Sequence, residues 1–214
     1  MSGDNCPESE EVVRRAAENL QSMKEMSKTR LKCLTVHNKG CTSFSNNPET
    51  SPMARSRAKP PSQPNDIPKK FATCALVGNG PGLKEVENGA MIDDHDAVFR
   101  FNALSVARAN APFTGTKTTF RTFNKKRIMT LGRMKFQPTS KEYWLSWNYG
   151  AISLLSKLKS MNKEIYVHSP ELIKYMVNSY FAVRKDMTRL GLGKFGCPTN
   201  LNSGVHAIFM ALQM

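Results

Sequence analysis

The chain has 214 residues, 40% of them apolar, and a formal net charge of +14. That length holds one domain with a sizeable core plus a tail, and the apolar fraction excludes a wholly disordered chain. No run approaches the ~18–20 apolar residues that a membrane span needs, and five cysteines without a CxxC pair argue against a structural zinc site.

Residues 8–32 carry Val12, Val13, Ala16, Leu20, Met23 and Met26 at mostly helical spacing, which predicts an amphipathic helix. The opening MSGDNCPESEE is neither a signal nor a transit peptide, and by itself the sequence reads as soluble. Residues 36–70 lose periodicity to Ser, Asn, Pro and Lys, with Pro60-Pro61, Pro64 and Pro68. They read as a linker, so residues 1–70 form a helical, partly disordered tail. From Phe71 onward, strands are predicted at 73–78, 96–102, 117–122, 142–147 and 164–168, and helices at 82–90, 151–159, 170–187 and 203–213. Alternation of this kind predicts an α/β domain over 71–214, Rossmann-like, with a mostly parallel sheet flanked by helices.

The basic excess is uneven: residues 1–70 hold 12 basic and 8 acidic side chains, residues 97–214 hold 18 and 4. A surface of this kind attracts anions such as nucleic acid, an acidic membrane face or a phosphorylated small molecule. Lys125-Lys126-Arg127 is the densest cluster and reads as a solvated loop. No arginine-rich run is interleaved with aromatics, so nucleic acid is not the expected partner.

The chemistry concentrates where the run Ala75-Leu76-Val77 drops into Gly78-Asn79-Gly80-Pro81-Gly82. Closely spaced glycines let a phosphate or ribose approach the backbone. Asn79 and Asn102 then end two successive strands, at the sheet edge where α/β proteins bind ligands. A dinucleotide fingerprint fails here, because Leu83 occupies the sixth position of G-x-G-x-x-G and no acidic residue ends the second strand. Arg100 and Asn102 stand there instead, a guanidinium and an amide that suit a cytidine nucleotide. Asp93-Asp94-His95-Asp96 offers hard oxygen ligands to a divalent ion, but reads first as a polar turn. Ser203-Gly204 opens an apolar helical run whose free N–H groups favour an anion, with Ser203 as an ordinary N-cap in the simpler reading.

The segment from Cys74 to Asn124 resembles the large sialylmotif of the eukaryotic sialyltransferase family. The matching residues are Cys74, Gly78-Asn79, Gly89, Ile92-Asp93, Asp96-Ala97-Val98-Phe99-Arg100-Phe101-Asn102 and Gly115-Thr116-Lys117-Thr118-Thr119. Asn79 and Asn102 lie 23 positions apart, the spacing of the family pattern. Pro198-Thr199-Asn200-Leu201-Asn202-Ser203-Gly204 and the apolar run after it are similar to the small sialylmotif. The likeness is to a plant- or alga-like member.

The resemblance implies a variant of the GT-A glycosyltransferase fold and transfer of sialic acid, or a related acidic sugar, from a CMP donor to a glycan hydroxyl with inversion. Asn79 and Asn102 would bind the nucleotide, and Ser203 and Gly204 the donor's acidic sugar. Three extra residues, Asn200 to Asn202, leave open whether Thr199 or Ser203 supplies the family's hydroxyl. No metal or other cofactor is implied, which favours the turn reading of the aspartates. Partners would be the CMP-sugar and a glycan acceptor on glycoprotein or glycolipid, in the Golgi, with residues 1–70 in the place of a stem. The family's histidine motifs, base included, are expected beyond Met214, so 71–214 reads as an incomplete catalytic domain with no catalytic residue among His37, His95, His168 and His206. The cysteine that the family pairs with Cys74 is likewise not found at the end of the last helix. The rival reading is a non-catalytic nucleotide-binding or interaction remnant of the family.

Overall fold

Five short runs rich in aromatic and β-branched residues form one parallel sheet: β1 (Cys74–Val77), β2 (Ala97–Phe101), β3 (Phe120–Phe123), β4 (Tyr143–Ser146) and β5 (Ile165–Val167), adjacent in chain order. The structure, a computed structural model, describes residues 21–37, 60–63, 65–68, 70–103, 106, 108–131, 133–134, 136, 138, 141–192 and 201–214. Two compact units divide the chain, Met1–Arg30 with Lys174–Asn200, and Leu31–Ile173 with Leu201–Met214. All five predicted strands are present: four are one residue shorter at each end, and the one expected over 117–122 is shifted to Phe120–Phe123. The strands β2, β3 and β5 are buried throughout, which explains why they do not alternate apolar with polar residues, whereas in β1 only Val77 is buried.

In the first unit, α1 (Gln21–Lys28) is the described part of the helix expected over 8–32; residues 8–20 lie outside the described residues. The Ser22 amide donates to the Asp186 carboxylate at 2.8 Å, and Met26 and Met176 are buried.

In the second unit, the strands are joined through α2 (Gly89–Asp94), α3 (Ala111–Thr114), α4 (Lys125–Leu131) and α5 (Ile152–Leu155). The helix α6 (Pro170–Arg189) starts in this unit with proline at its first position and Ser169 Oγ accepting from the Leu172 amide. It stops near Gly191, whose φ of 76° suits a left-handed C-terminal turn. A last helix, α7 (Ser203–Ala211), packs on β1, β2 and β3.

Three helical expectations differ from what formed. The helix expected over 82–90 is a 3₁₀ turn at Pro81–Lys84 followed by α2. Leu83 and Ile92 both pack on the Val77 and Val98 cluster while Val86 is 58% exposed, so no single stripe runs through the segment. The helix expected over 151–159 is α5 flanked by 3₁₀ turns at Tyr149–Ala151 and Ser156–Leu158. Its buried residues Ile152, Leu155 and Leu158 recur every three positions, the 3₁₀ period. Lys125-Lys126-Arg127, read as a solvated loop, is instead the first turn of α4, which Ile128 and Leu131 anchor in the core.

Some residues placed in the tail belong to this core. Leu34, Val36 and Ile67 are buried, the Val36 amide donates to Val167 O at 3.0 Å, and Thr35 makes an antiparallel bridge with His168. This short stretch satisfies the outer edge of β5, which would otherwise present unpaired backbone groups. The rest of the expected linker, 38–59 with Pro64 and Lys69, lies outside the described residues. Cys33 is disulfide-bonded, and Cys74 is a free thiol that burial, and then Asp96, pushes up from its ordinary pKa. Among the described residues, no helix is long and apolar enough to cross a membrane.

Candidate nucleotide site at the sheet edge

A sheet whose strands follow one another in order has no switch point, so the crevice expected from strand reversal does not arise from the sheet alone. It is made by α7, whose first turn reaches the carboxyl ends of β1 and β2. Asn79 follows β1, and its Nδ2 donates to Phe101 O, the last carbonyl of β2, at 3.1 Å. Asn102 follows β2 with φ of 56°, a left-handed conformation that asparagine tolerates better than most residues. Its amide donates to Thr122 O at 2.9 Å, and its Oδ1 accepts from the Asn124 amide at 3.1 Å. Asn124 Oδ1 in turn accepts from the Arg127 amide at 2.9 Å, opening α4. The ends of β1, β2 and β3 are thus tied by asparagines.

Two cavities of about 280 Å³ each meet on this pair. One is lined by Asn79, Phe101, Asn102, Asn124, Asn202, Ser203 and Gly204. The other is lined by Asn79, Asn102, Ala103, Arg127 and Met134. Of the five residues expected in the site, Asn79, Asn102, Ser203 and Gly204 therefore come together, and Thr199 lies outside the described residues. Ser203 is not the N-cap. Asn202 is, its Oδ1 accepting from the Val205 amide at 3.0 Å. The Ser203 hydroxyl accepts instead from Trp147 Nε1 at 3.4 Å, and the Trp147 ring stacks on His206 with 4.4 Å between centroids. Amides that both donate and accept, beside a helix N-terminus, suit a ligand combining a hydrogen-bonding edge with negative charge.

Arg100 is the main correction. It does not face the crevice: it is 1% exposed, and it donates to Lys117 O at 3.0 Å, Thr118 Oγ1 at 3.1 Å and Thr114 O at 2.7 Å. Burial, and then Arg121, lowers its pKa to about 10. Its task is to hold the 114–118 loop. Two residues that the sequence did not single out carry the site from below. Arg121 and Glu142 form a buried two-pronged ion pair at 2.7 and 2.9 Å, and Arg121 Nη1 donates to Asn102 O at 3.1 Å. Asn124, Asn202 and Arg127 were also passed over. For Asn202 a signal existed, since asparagine ranks with serine as an N-cap and precedes it here.

The aspartates serve the frame. Asp93 accepts from the amides of Thr116 and Lys117 and from the Thr116 hydroxyl. Burial opposes its charge, but these hydrogen bonds outweigh that and hold its carboxyl below the usual range. Asp96 accepts from the Thr73 amide at 2.8 Å. The histidines line neither cavity. His168 and His206 are buried, with pKa values lowered by desolvation to about 3 and about 4, and His37 is lowered to about 4. His95 Nδ1 lies 2.9 Å from Met91 O.

The model of glycosyltransferase family 29 (sialyltransferase) matches residues 13–145. Sialyltransferase-like protein 5 of Oryza sativa subsp. japonica is 48% identical over 61 residues, which is 28% of this chain and 13% of that relative. Beta-galactoside alpha-2,6-sialyltransferase 1 of Homo sapiens is 44% identical over 60 residues, 28% of this chain and 14% of the relative. CMP-N-acetylneuraminate-beta-galactosamide-alpha-2,3-sialyltransferase 1 of Pan troglodytes is 32% identical over 120 residues, 50% of this chain and 35% of the relative. These matches span between 13% and 35% of the relatives' own lengths. A crystal structure of a mammalian sialyltransferase superposes with a TM-score of 0.57 at 15% identity, covering 99% of this chain and 80% of that one, and so shares the fold. With the family model matching well over half of its residues, the chain belongs to glycosyltransferase family 29, the sialyltransferases.

Proposed function

We propose that this chain carries the donor-binding part of a sialyltransferase-type enzyme. In this reading it acts on a CMP-linked sialic acid or related acidic sugar, which passes with inversion to a hydroxyl of a glycan on a glycoprotein or glycolipid, in the Golgi. One observation carries the reading. In a member of this family, Asn79 and Asn102 line the same two cavities at the carboxyl edge of β1 and β2, closed on one side by Ser203 and Gly204. The asparagines would hold the nucleotide, and the first turn of α7 would hold the sugar's carboxylate through its unpaired N–H groups and partial positive charge. Thr199 is kept as the alternative hydroxyl beside Ser203.

The test is calorimetric titration of the purified chain with CMP. Wild type should bind CMP, and Asn79→Ala or Asn102→Ala should each weaken binding by about 1–3 kcal/mol through unmet hydrogen bonds. Equal binding by wild type and both variants would overturn the reading. CMP binding without sugar transfer from CMP-sialic acid to a galactoside would favour the non-catalytic, nucleotide-binding alternative.

A further inference from the structure

The two cavities differ in one chemical respect. The cavity beneath α7 is lined by amides, a hydroxyl, Phe101 and Gly204, with no charged side chain among the described residues. The other contains, among the described residues, a single charged side chain, Arg127. The Arg127 guanidinium makes no hydrogen bond or ion pair among the described residues, whereas Arg100 and Arg121, on the adjacent strands, are buried and committed to the frame. Its place is not incidental. Asn102 Oδ1 holds the Asn124 amide, Asn124 Oδ1 holds the Arg127 amide, and Ile128 and Leu131 anchor the helix from beneath. The Arg127 backbone is thereby fixed relative to Asn102 by two consecutive hydrogen bonds. Its neighbours Lys125 and Lys126 are exposed and line neither cavity.

We infer that Arg127 is a phosphate-binding residue of the donor site: the ribose of a pyrimidine nucleoside monophosphate lies on Asn79 and Asn102, where the two cavities meet, its phosphate reaches the Arg127 guanidinium, and the cavity beneath α7 is left to the acidic sugar bonded to that phosphate. The inference rests on the nucleotide reading above and adds to it which arm takes which part of the ligand. A phosphate ester keeps a negative charge at every physiological pH, and a cavity closed by amides alone does not neutralise it. A planar guanidinium matches phosphate oxygens with two parallel N–H donors, which lysine cannot do. Because Arg127 is exposed and unpaired, its replacement should leave folding unchanged.

The experiment titrates wild type, Arg127→Ala, Arg127→Lys and Asn79→Ala with cytidine, CMP and CMP-sialic acid, with a urea unfolding curve for each variant. Arg127→Ala should weaken CMP by about 10- to 100-fold, the range of one charge-assisted contact, while cytidine binding changes less than twofold. Arg127→Lys should fall between wild type and Arg127→Ala. Asn79→Ala should weaken cytidine and CMP alike. Loss of CMP affinity in Asn79→Ala with none in Arg127→Ala would overturn this inference and leave the nucleotide reading intact. Equal losses of cytidine and CMP in Arg127→Ala would overturn it too, as would a loss confined to CMP-sialic acid, which would assign Arg127 to the sugar carboxylate. A wild type that binds none of the three would overturn both.

Discussion

Gly115 shows how tightly single positions of the motif are held. It has φ of 64°, and a Cβ there would lie 2.3 Å from Asp93 Oδ1, the oxygen that accepts from the Lys117 amide. Gly89 is tighter still, since a Cβ would stand 1.9 Å from Ala111 O where α2 meets α3. Gly78 and Gly80 instead face open space and have ordinary φ angles. Gly115→Ala and Gly89→Ala should therefore each lower unfolding free energy by about 1–3 kcal/mol or more, while Gly78→Ala should change it little. Urea midpoints check this; an equal loss in all three would mean that packing is not the reason. Because Asp93 and Asp96 spend their oxygens on the backbones of neighbouring loops, CMP affinity should be unchanged by EDTA. A loss that Mn²⁺ restores would return the aspartates to a metal site.

Between elements, the strongest polar link is the Arg121–Glu142 pair, which joins β3 to the residue preceding β4. Both side chains are fully buried, Glu142 also accepts from Trp144 Nε1 at 3.0 Å, and Arg121 lies over the Phe136 ring at 5.0 Å. Removing one partner of a buried pair leaves the other charge without compensation, at a cost of about 3–5 kcal/mol. Glu142→Ala should lose that much in urea unfolding. It should also weaken CMP binding, because Arg121 holds the carbonyl of Asn102. Retained affinity in a folded variant would separate the ion pair from the site.

Within the second unit as a whole, His168 and His206 are buried, with ring centroids 5.9 Å apart, and His37 is half-buried against Tyr166. Neither ring nitrogen of His168 has a hydrogen-bond partner among the described residues. Desolvation is the largest cause of all three lowered pKa values, with Asp66 partly opposing it at His37. A lowered folded pKa means that the unfolded chain binds more protons in the window between the two values. Stability from these residues is therefore full above about pH 6.5 and declines as pH falls toward about 4. We expect a loss on the order of 1–2 kcal/mol per buried histidine between pH 7 and pH 5. Urea midpoints at the two pH values measure it, and His168→Gln should flatten the difference. A slope of the opposite sign would show that the rings are charged in the fold.

Strand positions, the parallel α/β class and the pair Asn79 and Asn102 were readable along the chain, because the strands are short runs of apolar and aromatic residues bounded by turn residues, whereas the strand order came from the fold. Helix extents were less legible: whether Ile152, Leu155 and Leu158 wind as α or 3₁₀ depends on the surface they meet, not on propensity. The arginines show the limit most clearly. Arg100, Arg121 and Arg127 are chemically identical along the chain, yet one ties a loop, one pairs with Glu142 and one lines a cavity. Local composition sets what a side chain can do, whereas burial and partners come from residues far away in sequence. Asn202 meets Asn79 and Asn102 only because α7 packs across the carboxyl edge of the sheet, and that is a property of the folded core.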